Sequence, residues 1–111
     1  MSIHRDRQRA RFRDLKPYDV VASLDELRGP ARGPISLPRW VRWQADGDVD
    51  VDDPGGLRMA YQALLSEGTA EVQTRLLNKQ LLIAVWPELS LDSRVRDLWE
   101  IRFVELRPAH V

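Results

Sequence analysis

The stretch Asp46-Gly-Asp-Val-Asp-Val-Asp-Asp53 places carboxylates at alternate positions, the way a calcium-binding hand begins. That motif also needs a glycine at its sixth position for the sharp turn and a glutamate at its twelfth as a bidentate ligand. Counted from Asp46, those positions hold Val51 and Leu57, so the motif is rejected. A non-specific cation contact is one role left for the stretch; the favoured one is an acidic loop feeding the next helix, where carboxylates favour the positive end of the helix dipole. Acid–base chemistry finds no better footing. His4 and His110 sit in the two tails, a poor place for a base that must be held rigidly. Ser23, Ser36, Ser66, Ser90 and Ser93 have no histidine nearby in sequence, and cysteine is absent. The glycines are isolated turn markers or the pair Gly55-Gly56, so no phosphate-cradling loop is present. These readings point to a non-enzymatic protein with no cofactor and no metal.

Two groups of residues could instead recognise a partner. Arg5, Arg7, Arg9, Arg11 and Arg13 occupy every second position of a basic arm, residues 1–16. In a helix Arg5, Arg9 and Arg13 would share one face. Such an arm can contact nucleic acid or lie over an acidic segment of its own chain. The second group is Arg39, Trp40, Arg42 and Trp43, since tryptophan and arginine are the types enriched at interface hot spots. Tryptophans in a small domain also serve as core, and the sequence does not separate the two roles.

Charge follows the same division. The 17 basic and 17 acidic residues cancel over the 111-residue chain. Residues 1–16 nevertheless hold six basic residues against two acids, a net +4. Residues 17–53 hold four arginines against eight acids, a net −4, and residues 54–111 balance at seven of each. The expected organisation is thus a basic arm (1–16), a loop-rich segment with a possible short helix and strands (17–53) and a helical core (54–107).

Periodicity supplies the elements. Tyr18–Leu27 fits one or two amphipathic turns ending at Gly29, with Gly29-Pro30 and Gly33-Pro34 punctuating a loop. Residues 35–44 mix β-branched and aromatic side chains in alternation, which argues for one or two short strands, with Pro38 confining the first to an edge. Asp53-Pro54 is a strong helix start, and Leu57, Ala60, Tyr61, Leu64 and Leu65 follow as a core-facing stripe. Gly68 is placed to close that helix in the left-handed conformation. Thr69 can cap a helix over Ala70–Leu77, with Glu71 and Arg75 as an i, i+4 pair.

Leu81 to Trp86 is an unbroken apolar run and is expected to be buried on all sides. It reads as a short central helix, capped by Asn78 and closed by Pro87, which disfavours helical geometry at Trp86. A buried strand competes, because so short a run carries no periodicity. In the last helix Val95, Leu98, Trp99, Phe103 and Leu106 form one arc. Ile101 and Val104 fall outside it, so either they meet another element or a partner, or residues 101–106 turn extended. The fold class expected is mainly α: a compact bundle of about four short helices with an extended or β segment near residues 35–44. No apolar run reaches the about 20 residues a bilayer span requires, and no secretory leader is visible, so a cytoplasmic location is expected. A helix-turn-helix fails on its second helix, because Leu81–Trp86 is too apolar to read base edges.

Three phrases together carry a resemblance: Ser23-Leu-Asp-Glu-Leu-Arg-Gly-Pro30; Ile35-Ser-Leu-Pro-Arg-Trp-Val-Arg-Trp43; and the longer run from Asp52-Asp-Pro through Leu64-Leu-Ser-Glu-Gly-Thr, Leu81-Leu, Val85-Trp-Pro-Glu-Leu and Arg94-Val-Arg-Asp-Leu-Trp-Glu100. They resemble short proteins of high-GC Gram-positive bacteria encoded beside nucleotidyltransferase toxins of the abortive-infection type. The resemblance spans roughly residues 18–104 and leaves the basic arm outside it. It implies an antitoxin that binds and neutralises a toxin transferring nucleotides onto RNA or protein. The expected partner is therefore a cognate toxin, with promoter DNA or a second copy of the chain as further candidates and no membrane. The competing functions are a DNA-binding regulator using the arm and a structural subunit of a larger assembly.

The DNA reading has a direct test. An arm that neutralises about five phosphates gives a slope of log affinity against log salt of about −4 to −5 on the protein's own promoter. A salt-independent or undetectable interaction removes that reading.

Overall fold

The computed structural model describes residues 18–41 and 48–108. Arg5, Arg7, Arg9, Arg11, Arg13, Arg42 and Trp43 lie outside the described residues. Four α-helices follow a short antiparallel sheet: β1 (Pro34–Ser36), β2 (Asp48–Asp50), α1 (Pro54–Glu67), α2 (Ala70–Leu76), α3 (Lys79–Val85) and α4 (Ser93–Arg102). Single 3-10 turns occupy Leu24–Glu26, Trp86–Glu88 and Val104–Leu106. The chain is mainly helical, as its apolar periodicity requires.

The sheet corrects one expectation. β1 lies where a strand was expected, but its partner is the middle of the acidic stretch, paired as Pro34↔Asp50, Ile35↔Val49 and Ser36↔Asp48. Alternating carboxylates are also a period-two strand pattern, and the residues between them decide the matter. Val49 and Val51 are buried with Ile35, while Asp48 and Asp50 stay in water. The Ser36 hydroxyl donates to Asp48 across the pair at 2.6 Å.

α1 begins as its sequence dictates. The Asp53 carboxylate accepts from the Gly56 N–H at 3.0 Å, Pro54 opens the helix, and Leu57, Ala60, Tyr61, Leu64 and Leu65 are all buried. Its end differs, because Gly68 is extended (φ −78°, ψ 151°) and not left-handed. Glycine is required there for space: a β-carbon would stand 2.6 Å from the Leu64 carbonyl oxygen. Thr69 then caps α2, accepting from Val72 N–H at 3.3 Å, and the Asp19 carboxylate accepts from Ala70 N–H at 2.8 Å.

No helix forms over Tyr18–Leu27 beyond the single turn at Leu24–Glu26, which Ser23 caps. This segment and the two residues after it, up to Gly29, instead form a strap laid along α2. Arg28 N–H donates to Thr74 O at 2.7 Å and Gly29 N–H to Leu77 O at 2.8 Å. Backbone groups of the strap are thus satisfied by the end of a neighbouring helix, which removes the need for helical bonds of their own. Gly29 permits the approach, since a β-carbon would sit 2.1 Å from Leu76 O. Val21 and Leu24 of the strap join the same apolar cluster as the helices.

α3 is capped by Asn78, whose side-chain oxygen accepts from Leu81 N–H at 3.0 Å. Leu82, Val85 and Trp86 are buried, yet Leu81 and Ile83 are half-buried and Ala84 is exposed, so the apolar run is not enclosed on every side. The α-helix stops at Val85, but Trp86 keeps helical dihedrals (φ −50°, ψ −47°) inside a 3-10 turn containing Pro87. Burial of the Trp86 indole against Trp99, with centroids 6.4 Å apart, holds it there against the local clash with proline. In α4, Val95 and Trp99 are buried, and Phe103 and Leu106 continue the buried row beyond the helix. Residues 101–106 are helical up to Arg102 and then form a 3-10 turn, not a strand.

Tyr61 couples α1 to the start of α3. Its hydroxyl oxygen accepts from Asn78 N–H at 2.9 Å, and burial, outweighing that bond, pushes its pKa up to about 12. An unfolded tyrosine ionises near 10, so the folded state holds this proton more tightly.

Two outcomes follow. Leu82→Asp removes a fully buried side chain and leaves a charge without a partner, and should unfold the domain; Ala84→Asp, one turn face away and exposed, should melt within a few degrees of the parent by circular dichroism. A folded Leu82→Asp protein would show that α3 is not core. Stability from Tyr61 is complete below pH of about 10 and is lost as pH rises toward 12, at up to about 1.4 kcal/mol per pH unit. Tyr61→Phe should abolish that alkaline component while costing about 1–3 kcal/mol at neutral pH, because Asn78 N–H loses its acceptor. Denaturant titrations across that pH range read both effects.

Candidate binding surfaces

The first surface is the turn Pro38–Val41. Leu37 and Val41 are buried on either side of it, and Val41 N–H donates to Pro38 O at 3.0 Å, closing the turn. Arg39 and Trp40 are pushed outward at its tip. Trp40 is 54% exposed, whereas Trp86 and Trp99 are in the core. Of the four residues expected to meet a partner, the structure therefore brings Arg39 and Trp40 together on an exposed turn. Arg42 and Trp43 fall outside the described residues.

The second surface surrounds the carboxyl end of α4 and is built on an internal polar knot. The Trp86 indole N–H donates to Glu100 Oε2 at 2.8 Å. The Arg96 guanidinium lies 5.1 Å above the Trp86 ring, 3.6 Å from Glu100, and donates to the Trp86 and Leu89 carbonyl oxygens. Stacking and hydrogen bonding of one guanidinium in this way fix the turn after α3 against α4. Arg107 then donates to Glu100 O at 2.7 Å and Ile101 O at 3.1 Å, capping carbonyls that the end of α4 leaves without helical donors.

Around the knot, a groove of about 310 Å³ runs between Ile83, Pro87, Leu106 and Pro108. A neighbouring depression of about 290 Å³ is bounded by Asp97, Glu100, Ile101, Arg107 and Pro108. Ile101 and Val104, 73% and 66% exposed, stand free on the outer side with Leu98 at 38%. A third hollow of about 210 Å³ lies between Leu57 and the exposed side of α3 at Leu81 and Ala84, its rim tied by an Arg58–Glu88 pair at 3.4 Å.

Lys79 meets Asp25 at 2.6 Å, and this hydrogen bond raises the lysine's pKa. Among the described residues no group of three or more histidine, cysteine, aspartate or glutamate side chains could hold a metal ion, and no helix is long and apolar enough to cross a membrane.

The second surface was partly legible in advance. Ile101 and Val104 departed from the expected arc, which is the signal that located them, whereas Leu98 was expected within that arc and is exposed. The Trp86–Arg96–Glu100 knot was not, because it joins residues 10 and 14 positions apart across a proline turn. The chain matches no protein-family model, no curated protein and no solved structure.

Proposed function

We propose that this protein is a non-enzymatic, antitoxin-like inhibitor that neutralises a cognate nucleotidyltransferase toxin by direct binding. The observation that supports the reading most is Trp40. A tryptophan more than half exposed on a closed turn, with Arg39 beside it, is costly to leave in water and well suited to a partner's pocket. The phrases around Ser23–Pro30, Ile35–Trp43 and Asp52–Glu100 supply the partner class through their resemblance to proteins encoded beside such toxins. In this reading the inhibitor acts by occupying surface that the toxin needs for its nucleotide or its acceptor, and no chemistry passes through the inhibitor itself.

The test is co-expression with the neighbouring toxin gene. Protection of the host and co-purification of the two proteins are expected, and the absence of both sinks the proposal. Trp40→Ala should weaken the purified complex by about 30-fold or more while leaving the melting temperature of the free domain unchanged. A variant that binds like the parent would show that the toxin contacts some other surface.

A further inference from the structure

The sheet has two strands, so the outer side of each is an edge that no third strand of the sheet pairs. Val51 N–H donates to Gly33 O at 2.9 Å, and backbone groups alternate in direction along a strand. The N–H and C=O of Asp48 and the N–H of Asp50 therefore point away from β1. None of the three meets a backbone partner among the described residues, while Asp50 O already accepts from Asp53 N–H at 3.0 Å. The outer edge of β1 is the poorer one, because Pro34 has no N–H to donate. β2 thus offers three backbone bonds to a further strand.

The side chains along that edge decide what such a strand must carry. Asp48 and Asp50 share the exposed face, and Val49 lies on the buried one. Neither strand contains a basic residue, and neither aspartate has an ion pair among the described residues. By register the nearest arginine is Arg32, level with Asp52 beyond the end of the sheet. A matching strand has cations at every second position, with small or apolar residues between them. Arg9-Ala10-Arg11-Phe12-Arg13 is such a sequence. When extended, its three arginines share one face, and Ala10 and Phe12 share the other, whichever way it runs. A second copy of β2 fails the same requirement, since it would set aspartates against aspartates.

Reach and charge agree. Gln73 holds Asp19 beside Leu64 and Gly68 at the carboxyl end of α1, and β2 leads into its amino end at Pro54. The 14 residues of α1 put about 21 Å between those ends. Arg9 lies ten residues before Asp19, enough extended chain for about 33 Å. A tether of that length keeps the segment at high effective concentration beside β2. Residues 1–16 carry +4 and residues 17–53 carry −4, so the attraction holds for the whole arm.

We propose that residues 9–13 of the basic arm add to β2 as a third strand, with the arginines alongside Asp48 and Asp50 and with Ala10 and Phe12 on the side of Val49. The arm is then latched to its own domain, and a polyanion reaches its arginines only by displacing it. The latch belongs to the free protein and does not depend on the antitoxin reading.

The test is amide hydrogen exchange of the full-length protein, read by NMR at Asp48 and Asp50. Their N–H groups should exchange at least about 10-fold more slowly than in an unstructured chain. Arg9→Glu combined with Arg11→Glu should remove that protection. So should Ala10→Arg combined with Arg11→Ala, which keeps composition and charge but breaks the alternation. Val51 N–H, bonded to Gly33, is the control and should stay protected in every variant. An excess of heparin, a polyanion, should expose Asp48 and Asp50 in the parent. Unprotected amides in the parent overturn the pairing, as does protection that survives either double variant. Protection that heparin leaves in place overturns the latch. Protection that rises with protein concentration, in a protein that sediments as a dimer, assigns the edge to a second copy and overturns the proposal.

Discussion

Everything in this small domain depends on satisfying the ends of short helices inside the core. α2 and α3 are seven residues each, so most of their backbone groups belong to a first or last turn without a helical partner. Gln73 carries much of that burden. It is fully buried, and its side-chain amide points at three carbonyl oxygens: Asp19 at 3.0 Å, Leu64 at 3.1 Å and Gly68 at 3.3 Å. One amide thus ties the strap, the end of α1 and the α1–α2 link together. Its own oxygen has no partner, a cost that these three contacts must exceed. Four residues further on, Leu77 N–H returns to the Gln73 carbonyl and closes α2.

Asn78 does the same at the next joint. Its side-chain oxygen caps α3, its side-chain amide donates to Gly29 O at 3.0 Å, and its backbone N–H donates to Tyr61. Three elements therefore meet at one residue. The strap is consequently part of the core's wiring and not a decoration upon it. Asp19 at one end of α2 and Gly29 at the other fix its register over about one short helix length.

These joints explain which parts of the fold could be read from the residues. α1 was legible because a 14-residue helix shows its stripe and its cap locally, and Asp53, Leu57, Tyr61 and Leu65 sit where that pattern places them. The caps Thr69 and Asn78 were legible for the same reason. Tyr18–Leu27 misled because its apolar spacing resembles a helix, while the bonds that tie it down come from Ala70 and Gln73, 51 and 54 residues beyond Asp19, and the next two residues, Arg28 and Gly29, bond to Thr74 and Leu77. The acidic stretch misled through its charges: the valines between the carboxylates form the strand, and only the pairing with Ile35 reveals it. The candidate surfaces divide likewise. Arg39 and Trp40 stood out by residue type, but only tertiary packing distinguishes the exposed Trp40 from the buried Trp86 and Trp99.

The same accounting of polar groups shapes what the outside can do. Arg96, Arg102 and Arg107 hold backbone carbonyls, Lys79 holds Asp25, and the α4 knot engages Glu100, so their donors are largely engaged within the fold. Among the described residues, large apolar side chains are left exposed next to charge at two places: Trp40 beside Arg39, and Ile101 in one depression with Asp97. Surfaces of that kind bind by burying area around a few anchors. They suit another protein's face, where many weak contacts exclude water around each anchor, better than a small ligand that must be oriented by several converging polar groups. The rigid joints at Gln73 and Asn78 then matter to recognition as well as to stability. They position the α1–α3 framework on which the outer elements pack, so that little conformational entropy remains to be lost there when a partner docks.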